Sequence, residues 1–148
     1  MAHAELSASA IRLLGTRLPN CSVFTSDAKI RVEATDFAGF PDASVVCGER
    51  LTSAIDANAL INPALLVEVT SRSTEDYDRG EKLEHYQRPP SLQAVLLVSH
   101  RERQVTVVER REGNWGRRDV GPGEQVSVSS PAVSFSVDEL YGAIALDP

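Results

Sequence analysis

The sequence has few cysteines, no long apolar segment and few lysines, and these shortages exclude several classes of protein. Only Cys21 and Cys47 are present, and each stands alone in a mixed apolar stretch, without the paired spacing of a zinc or redox site. The longest purely apolar run covers residues 94–98, whereas a helix that spans a bilayer needs about 20 such residues. The first residues lack a basic segment followed by an apolar run, so no secretory signal is recognised. We therefore expect a reduced, cytoplasmic protein without a membrane segment.

Basic residues are outnumbered by acidic ones, 15 to 21, which gives a net charge of -6. This balance excludes a general basic coat for nucleic acid, although a local patch stays open. Six arginines lie between residues 101 and 118, but acidic residues alternate with them. That mixture favours the solvated faces of a hairpin over a DNA contact surface, so no nucleic-acid-binding residue is assigned. Of the basic residues only Lys29 and Lys82 are lysines.

The chain length of 148 residues and the hydrophobic content of 42% predict a single domain over residues 1–148. Apolar spacing predicts a first helix over residues 5–18 and a second helix that ends near Arg88, before Pro89-Pro90. Ser73 and Asp76 form a candidate capping box for the second helix. A last helical turn is expected at residues 137–141.

Two nearly continuous apolar segments, residues 64–69 and 94–98, are typical of strands covered on both faces. Further strands are expected at residues 23–24, 30–32, 43–47 and 104–109, with a turn towards Trp115 and a late edge strand at Val126 and Val128. Residues 49–62 read as a loop with a short helical piece. The sum is a mixed α/β (α+β) domain with one central sheet flanked by helices.

Two carboxylates occupy positions where a charge is costly. Glu68 interrupts an apolar strand, so it must be paired, protonated, bound to a cation or placed at an open strand end. Asp42 follows Pro41 at the start of the strand at residues 43–47. If the two strands are neighbours, both carboxylates could bind one Mg²⁺ or Mn²⁺. Turn chemistry for Asp42 and a structural ion pair for Glu68 remain the alternatives.

Lys82 lies four residues after Asp78 on the second helix, with His85 and Tyr86 further along it. The simple interpretation is a solvated Asp–Lys pair. The functional alternative is that Lys82 points back over the sheet, where its ammonium group could orient a water or stabilise charge on a phosphate.

The order of these motifs resembles the Uma2 family of restriction-endonuclease-like proteins. The resemblance covers about residues 8–142 and rests on Pro41-Asp42 before a strand, on the E-V-x-S-x-S-T run from Glu68, and on D-x-x-x-K-x-x-x-Y from Asp78. It implies the PD-(D/E)xK nuclease fold, with a restriction-endonuclease-like central mixed sheet and an additional β-hairpin. It also implies that the lysine usually found two residues after the second acid, where Thr70 stands here, has moved to the following helix as Lys82.

The resemblance implies a metal-dependent endonuclease that acts on DNA. Asp42, Glu68 and Lys82 would be its catalytic residues, Asp42 and Glu68 its ligands for Mg²⁺ or Mn²⁺, and Asp78 a partner that holds Lys82. The resemblance also implies a further N-terminal segment ahead of the first helix, which we expect this chain to lack, so the alternative is a catalytically inactive nuclease-fold module for binding or assembly. A homodimer is a further expectation.

Overall fold

The computed structural model describes residues 1–70 and 80–148. Its helices are α1 (Ala2–Arg17), α2 (Glu81–Tyr86) and α3 (Val137–Tyr141), and Glu33–Thr35 forms a 3-10 turn. The strands are β1 (Cys21–Phe24), β2 (Lys29–Val32), β3 (Phe37–Gly39), β4 (Ala43–Cys47), β5 (Ala59–Leu60), β6 (Leu65–Val69), β7 (Ala94–Val98), β8 (Val105–Arg111), β9 (Asn114–Val120), β10 (Gln125–Val128) and β11 (Val133–Ser136). Among these described helices none combines the length and the apolar character that crossing a bilayer requires.

A six-stranded mixed sheet in the order β1-β4-β6-β7-β8-β9 forms the centre of the protein. Its neighbouring strands are antiparallel except for β6 and β7, which are parallel. Parallel neighbours need a crossover connection, and here the crossover carries α2. Every residue of β6 and β7 is buried, as their continuous apolar pattern predicts. The expected mixed sheet flanked by helices is therefore confirmed.

Two apolar layers cover the two faces of this sheet. On one face α1, α3 and the β10–β11 hairpin pack against residues such as Val67, Leu96 and Val107. On the other face α2 and the small β3-β2-β5 sheet pack against Leu66, Leu97 and their neighbours. Each layer removes one face of the central sheet from water, and that burial stabilises the fold.

The last helix, α3, begins with a capping box in which Ser136 and Glu139 satisfy each other's backbone N–H groups. It ends at Tyr141, whose buried hydroxyl lies 2.7 Å from Ser99 O and 2.8 Å from Gln104 O. Burial raises the pKa of Tyr141 to about 12. The phenol thus joins α3 to the loop between β7 and β8.

Two sequence-based expectations differ from the structure. Residues 49–62 contain no helix; instead Ala59–Leu60 forms β5, which pairs in parallel with β2. Val126 and Val128 belong to β10, which pairs with β11 in a separate hairpin and not with the edge of the central sheet. Both segments are short; a distant strand, β2, pairs with β5, and the next strand along the chain, β11, pairs with β10. The candidate capping box of Ser73 and Asp76 lies outside the described residues.

The expectation of two isolated cysteines was wrong. Cys21 and Cys47 stand directly opposite each other on the antiparallel strands β1 and β4, and their sulfur atoms form a disulfide. The two cysteines are 26 positions apart in sequence, and the segment between them includes β2 and β3, which belong to the separate small sheet. The chain then returns as β4, and its register with β1 brings the two side chains together.

Candidate carboxylate and lysine site

The backbone register sets Asp42 opposite Glu68. Ala43 pairs with Val67 across the antiparallel strands β4 and β6, so the next position along places Asp42 against Glu68. Asp42 directly precedes β4, and its Oδ2 accepts a hydrogen bond of 2.7 Å from the backbone N–H of Val69.

Glu68 is a buried carboxylate in the central strand β6, with only 5% of its side chain exposed. It shares its face of the sheet with Leu66, which belongs to the layer that α2 covers. A buried carboxylate needs a partner that offsets its loss of hydration. Lys82 supplies one, since its Nζ lies 3.1 Å from Glu68 Oε1. Lys82 thus points back over the sheet, as the functional alternative in the sequence analysis expects.

The packing of α2 fixes where Lys82 points. Leu83 and Tyr86 are its buried residues, and the Tyr86 ring centre lies 6.0 Å from Lys82 Nζ. Gly39 allows the close approach of Tyr86, because a Cβ at that position would lie 2.4 Å from the tyrosine hydroxyl. His85 stacks on Phe37, with the ring centres 4.3 Å apart. The small sheet therefore sets the position of the helix that carries the lysine.

Arg110 anchors the segment that follows α2, a role that sequence reasoning missed. Its guanidinium donates hydrogen bonds to the carbonyl oxygens of Gln87, Pro89 and Leu92, and it lies 4.8 Å from the centre of the Trp115 ring. A planar guanidinium with several donors suits this task. In the sequence Arg110 was one of an arginine-rich group, and nothing marked it as different.

Thr70 occupies the position where the family's usual lysine would stand, and its hydroxyl has a structural partner. Thr70 Oγ1 lies 3.2 Å from Nδ1 of the buried His100. The other ring nitrogen of His100 accepts a hydrogen bond from Arg101 Nε, so Nδ1 carries the proton and donates to Thr70. Thr70 therefore holds the end of β6 in place, and the ammonium group that lies beside Glu68 is that of Lys82.

His3 is a second neighbour of Asp42 that sequence reasoning missed. Its Nε2 lies 3.1 Å from Asp42 Oδ1. A lone histidine near the start of a helix carries no spacing signal, and only the packing of α1 on the sheet brings it to the start of β4. Asp42 is thus held from two sides, by His3 and by the Val69 backbone.

Glu68 and the positive side chain of Lys82 meet on the face of the sheet that α2 covers, whereas Asp42 contacts His3 of α1, the helix that packs on the opposite face. Carboxylate oxygens are the ligands that a hard divalent cation prefers, and the buried hydroxyl of Ser44, on the face of Glu68, has no hydrogen-bond partner among the described residues. Within residues 1–70 and 80–148, however, no group of three or more His, Cys, Asp or Glu side chains is arranged to hold a metal ion.

Asp78 lies outside the described residues, so its expected contact with Lys82 stays a prediction.

Several arginines of the stretch between residues 101 and 118 bind other groups of the protein. Arg111 and Arg118 both bind the buried carboxylate of Glu109, and Arg103 donates a hydrogen bond to Gly142 O. Burial raises the pKa of Glu109, but hydrogen bonds from the Ser129 backbone and from these two arginines outweigh that effect and lower it. These contacts favour the structural interpretation of this stretch over a DNA contact surface.

The central mixed sheet, with an acid–lysine pair beneath a crossover helix, defines the class of restriction-endonuclease-like folds. A crystal structure described as a putative nuclease belonging to DUF820, from Anabaena variabilis ATCC 29413, has a similar fold with a TM-score of 0.77. The match covers 95% of this chain and 80% of that chain at 17% sequence identity. At this identity the similarity establishes the fold alone.

The family model of Uma2, described as "Putative restriction endonuclease", matches residues 1–140, and the chain belongs to this family. Two uncharacterised proteins of Synechocystis sp. (strain PCC 6803) are similar to it. One, slr1290, is 34% identical over 127 residues, which is 85% of this chain. The other, sll1609, is 29% identical over 98 residues, which is 65% of this chain. The aligned regions span 66% and 55% of the lengths of these two relatives.

Proposed function

We propose that this protein is a Mg²⁺- or Mn²⁺-dependent endonuclease that hydrolyses phosphodiester bonds in DNA. The observation that supports this proposal is the 3.1 Å contact between Lys82 Nζ and Glu68 Oε1, at the point where the register sets Asp42 opposite Glu68. Membership of a family described as restriction endonucleases supports the same reaction class. DNA is the substrate that this class implies.

In this proposal Asp42 and Glu68 hold the cation. When bound, the cation supplies charge stabilisation at the phosphate and a more acidic water molecule. Lys82 would orient the attacking water, lower the pKa of that water through the positive charge of its ammonium group, and stabilise the negative charge that develops on the phosphate. The backbone N–H of Val69 keeps the Asp42 carboxylate in its orientation, and Asp78 holds the ammonium group of Lys82.

Plasmid cleavage by the purified protein in the presence of Mg²⁺ or Mn²⁺ tests the proposal. Glu68→Gln and Lys82→Ala should each lower the rate by about 100-fold or more.

The chain offers a matched control for each variant. Lys29 also forms an ion pair, with Asp56, and Glu109 is also a buried, paired carboxylate. Lys29→Ala and Glu109→Gln should keep the wild-type rate wherever they stay folded, and a wild type no faster than Glu68→Gln on any nucleic acid would refute the nuclease.

A second candidate is a nuclease-fold binding or assembly module without catalysis. One observation favours it: the carboxylates of Asp42 and Glu68 already have protein partners in His3, the Val69 backbone and Lys82. In that case the Asp42 and Glu68 carboxylates serve to hold the sheet, the first helix and the crossover together. Binding of labelled DNA without cleavage, unchanged in Glu68→Gln, would support this module against the enzyme.

We further propose a cytoplasmic location, a single domain over residues 1–148 and a homodimer. In a reducing cytoplasm the Cys21–Cys47 pair is expected as two thiols, because disulfides rarely persist there. Rapid alkylation of thiols in intact cells reports the state of the pair, and a mainly oxidised pair would contradict this location. Light scattering of the purified protein measures the oligomeric state.

A further inference from the structure

The hydroxyl of Ser44 is buried without a hydrogen-bond partner among the described residues, on the face of the sheet that carries Glu68. Ser44 is 0% exposed, and its Oγ has no hydrogen-bond partner among the described residues. A buried hydroxyl that makes no hydrogen bond lowers stability, so such groups in native proteins usually have a specific cause, such as a bound water or ion.

Other buried serines of the described chain have partners, and Ser44 differs from them. Ser9 Oγ donates a hydrogen bond of 2.6 Å to Leu140 O. Ser99 Oγ accepts from the backbone N–H groups of Arg101 and Glu102, and Ser53 Oγ accepts from that of Ile55. A small apolar residue such as alanine would fill the Ser44 position without the loss of stability that an unpaired buried hydroxyl causes. The available space alone therefore does not explain why this residue is a serine.

The strand register places this hydroxyl beside the proposed cation site. Ser44 lies in β4, two residues after Asp42. Ser44 also pairs directly with Leu66 on β6, so Glu68 is its diagonal neighbour across the two strands. Diagonal neighbours lie about 7–8 Å apart between their Cα atoms, a separation that a water molecule bridges more readily than a direct bond.

We propose that Ser44 is a positioning residue of this site, whose hydroxyl holds a water molecule belonging to the hydration shell of a cation bound by Asp42 and Glu68. The inference rests on the proposed metal-dependent function and adds to it a residue that contacts neither the phosphate nor the cation itself. A hydroxyl both donates and accepts hydrogen bonds, so it can accept one from such a water, which in turn reaches the carboxylate. Groups that orient the ligands of a metal in this way strengthen its binding about 10- to 100-fold.

Mn²⁺ binding, measured by titration calorimetry on the purified full chain, tests the inference. Ser44→Ala should bind Mn²⁺ about tenfold more weakly than the wild type. Without metal, the same variant should melt at the wild-type temperature or slightly above it, because the hydroxyl it loses makes no bond within the protein. The matched control is Ser9→Ala, which should melt at a lower temperature and keep the wild-type Mn²⁺ affinity. Ser44→Thr, which keeps the hydroxyl, should recover affinity relative to Ser44→Ala.

Two results would overturn the inference and leave the proposed function standing. One is equal Mn²⁺ affinity of wild type and Ser44→Ala, while Asp42→Asn and Glu68→Gln lose binding. The other is a metal-free Ser44→Ala that melts as low as Ser9→Ala, since that would reveal a structural partner for the hydroxyl. Absence of Mn²⁺ binding by the wild type would overturn both this inference and the metal-dependent function.

Discussion

Lys82 Nζ lies 3.1 Å from Glu68 Oε1, and this contact joins the crossover helix to the central strand of the sheet. Only 5% of the Glu68 side chain and 18% of the Lys82 side chain are exposed. Removal of one partner from such a pair leaves the other charge buried without compensation. The contact is therefore both a stabilising element and the centre of the proposed site, and these two roles need separate measurements.

Lys82→Met should lower the free energy of unfolding by about 3 kcal/mol, because it leaves the Glu68 carboxylate buried opposite an apolar side chain. The double variant Glu68→Gln/Lys82→Met should recover most of that loss, since neither charge remains. Urea unfolding at neutral pH measures both values. Lys29→Met is the control and should cost at most about 1 kcal/mol, because its ion pair is more exposed. A double variant as unstable as Lys82→Met would contradict the buried-pair interpretation.

Asp42 should show separable structural and catalytic effects. Asp42→Ala leaves the N–H of Val69 without its acceptor, so we expect a loss of about 1–3 kcal/mol in unfolding free energy. Asp42→Asn keeps an acceptor oxygen and should recover most of the stability, but it should not recover Mn²⁺ binding or cleavage. Urea unfolding of the two variants measures their stability, and titration calorimetry measures their Mn²⁺ binding. The prediction fails if Asp42→Asn binds Mn²⁺ like the wild type.

Glu109 should make stability depend on acid pH. Burial raises its pKa, but hydrogen bonds from Ser129 and the two arginines lower it overall, below the ordinary value of 4.5. The ionised form is thus favoured in the folded state. Its contribution is fully present above that ordinary value and is lost as the pH falls through the lowered folded pKa. Urea unfolding of wild type and Glu109→Gln should give a stability difference that shrinks from pH 7 towards pH 3, and a constant difference would count against this assignment.

Reduction of the Cys21–Cys47 disulfide should lower the free energy of unfolding by about 3 kcal/mol, because the bond closes a loop between residues 26 positions apart. Thiol titration of the unreduced, denatured protein should find no free thiol. The Cys21→Ser/Cys47→Ser variant should match the reduced protein and show no response to reductant. Free thiols in the unreduced protein, with stability unchanged by reductant, would contradict the disulfide.

The strands with continuous apolar character could be predicted from the sequence alone. The predicted bounds of β4 and β7 agree with the structure, and those of β6 agree to within one residue, because burial on both faces leaves a direct mark on composition. The spacing of Asp78 and Lys82 alone favoured a solvated pair, and the resemblance to the Uma2 family favoured a Lys82 that returns over the sheet. A crossover helix between neighbouring parallel strands packs on the sheet, and this topology places Lys82 beside Glu68.

The remaining features depend on pairings between distant segments. Nothing in the sequence aligned Cys21 with Cys47, because register across separated strands is set by the whole sheet. Strand β5 has two residues and no periodicity to detect. His3 and Ser44 are ordinary residues in their local sequence. His3 is distinguished only by the approach of α1 to β4. Ser44 is distinguished only by the burial of β4 between its two neighbouring strands.

The parallel pairing of β6 and β7 has a consequence for how this site can be recognised in other chains. The acid lies on the first strand of the crossover and the lysine on its helix, so the fold brings them together whatever the number of residues between them. Insertions in that connection can change the interval along the chain while the strand pairing and the anchored helix keep the two groups adjacent. A search pattern with a fixed interval would miss relatives that keep the same pair, whereas a search for a buried acid in a central strand and a lysine on the next helix would find them.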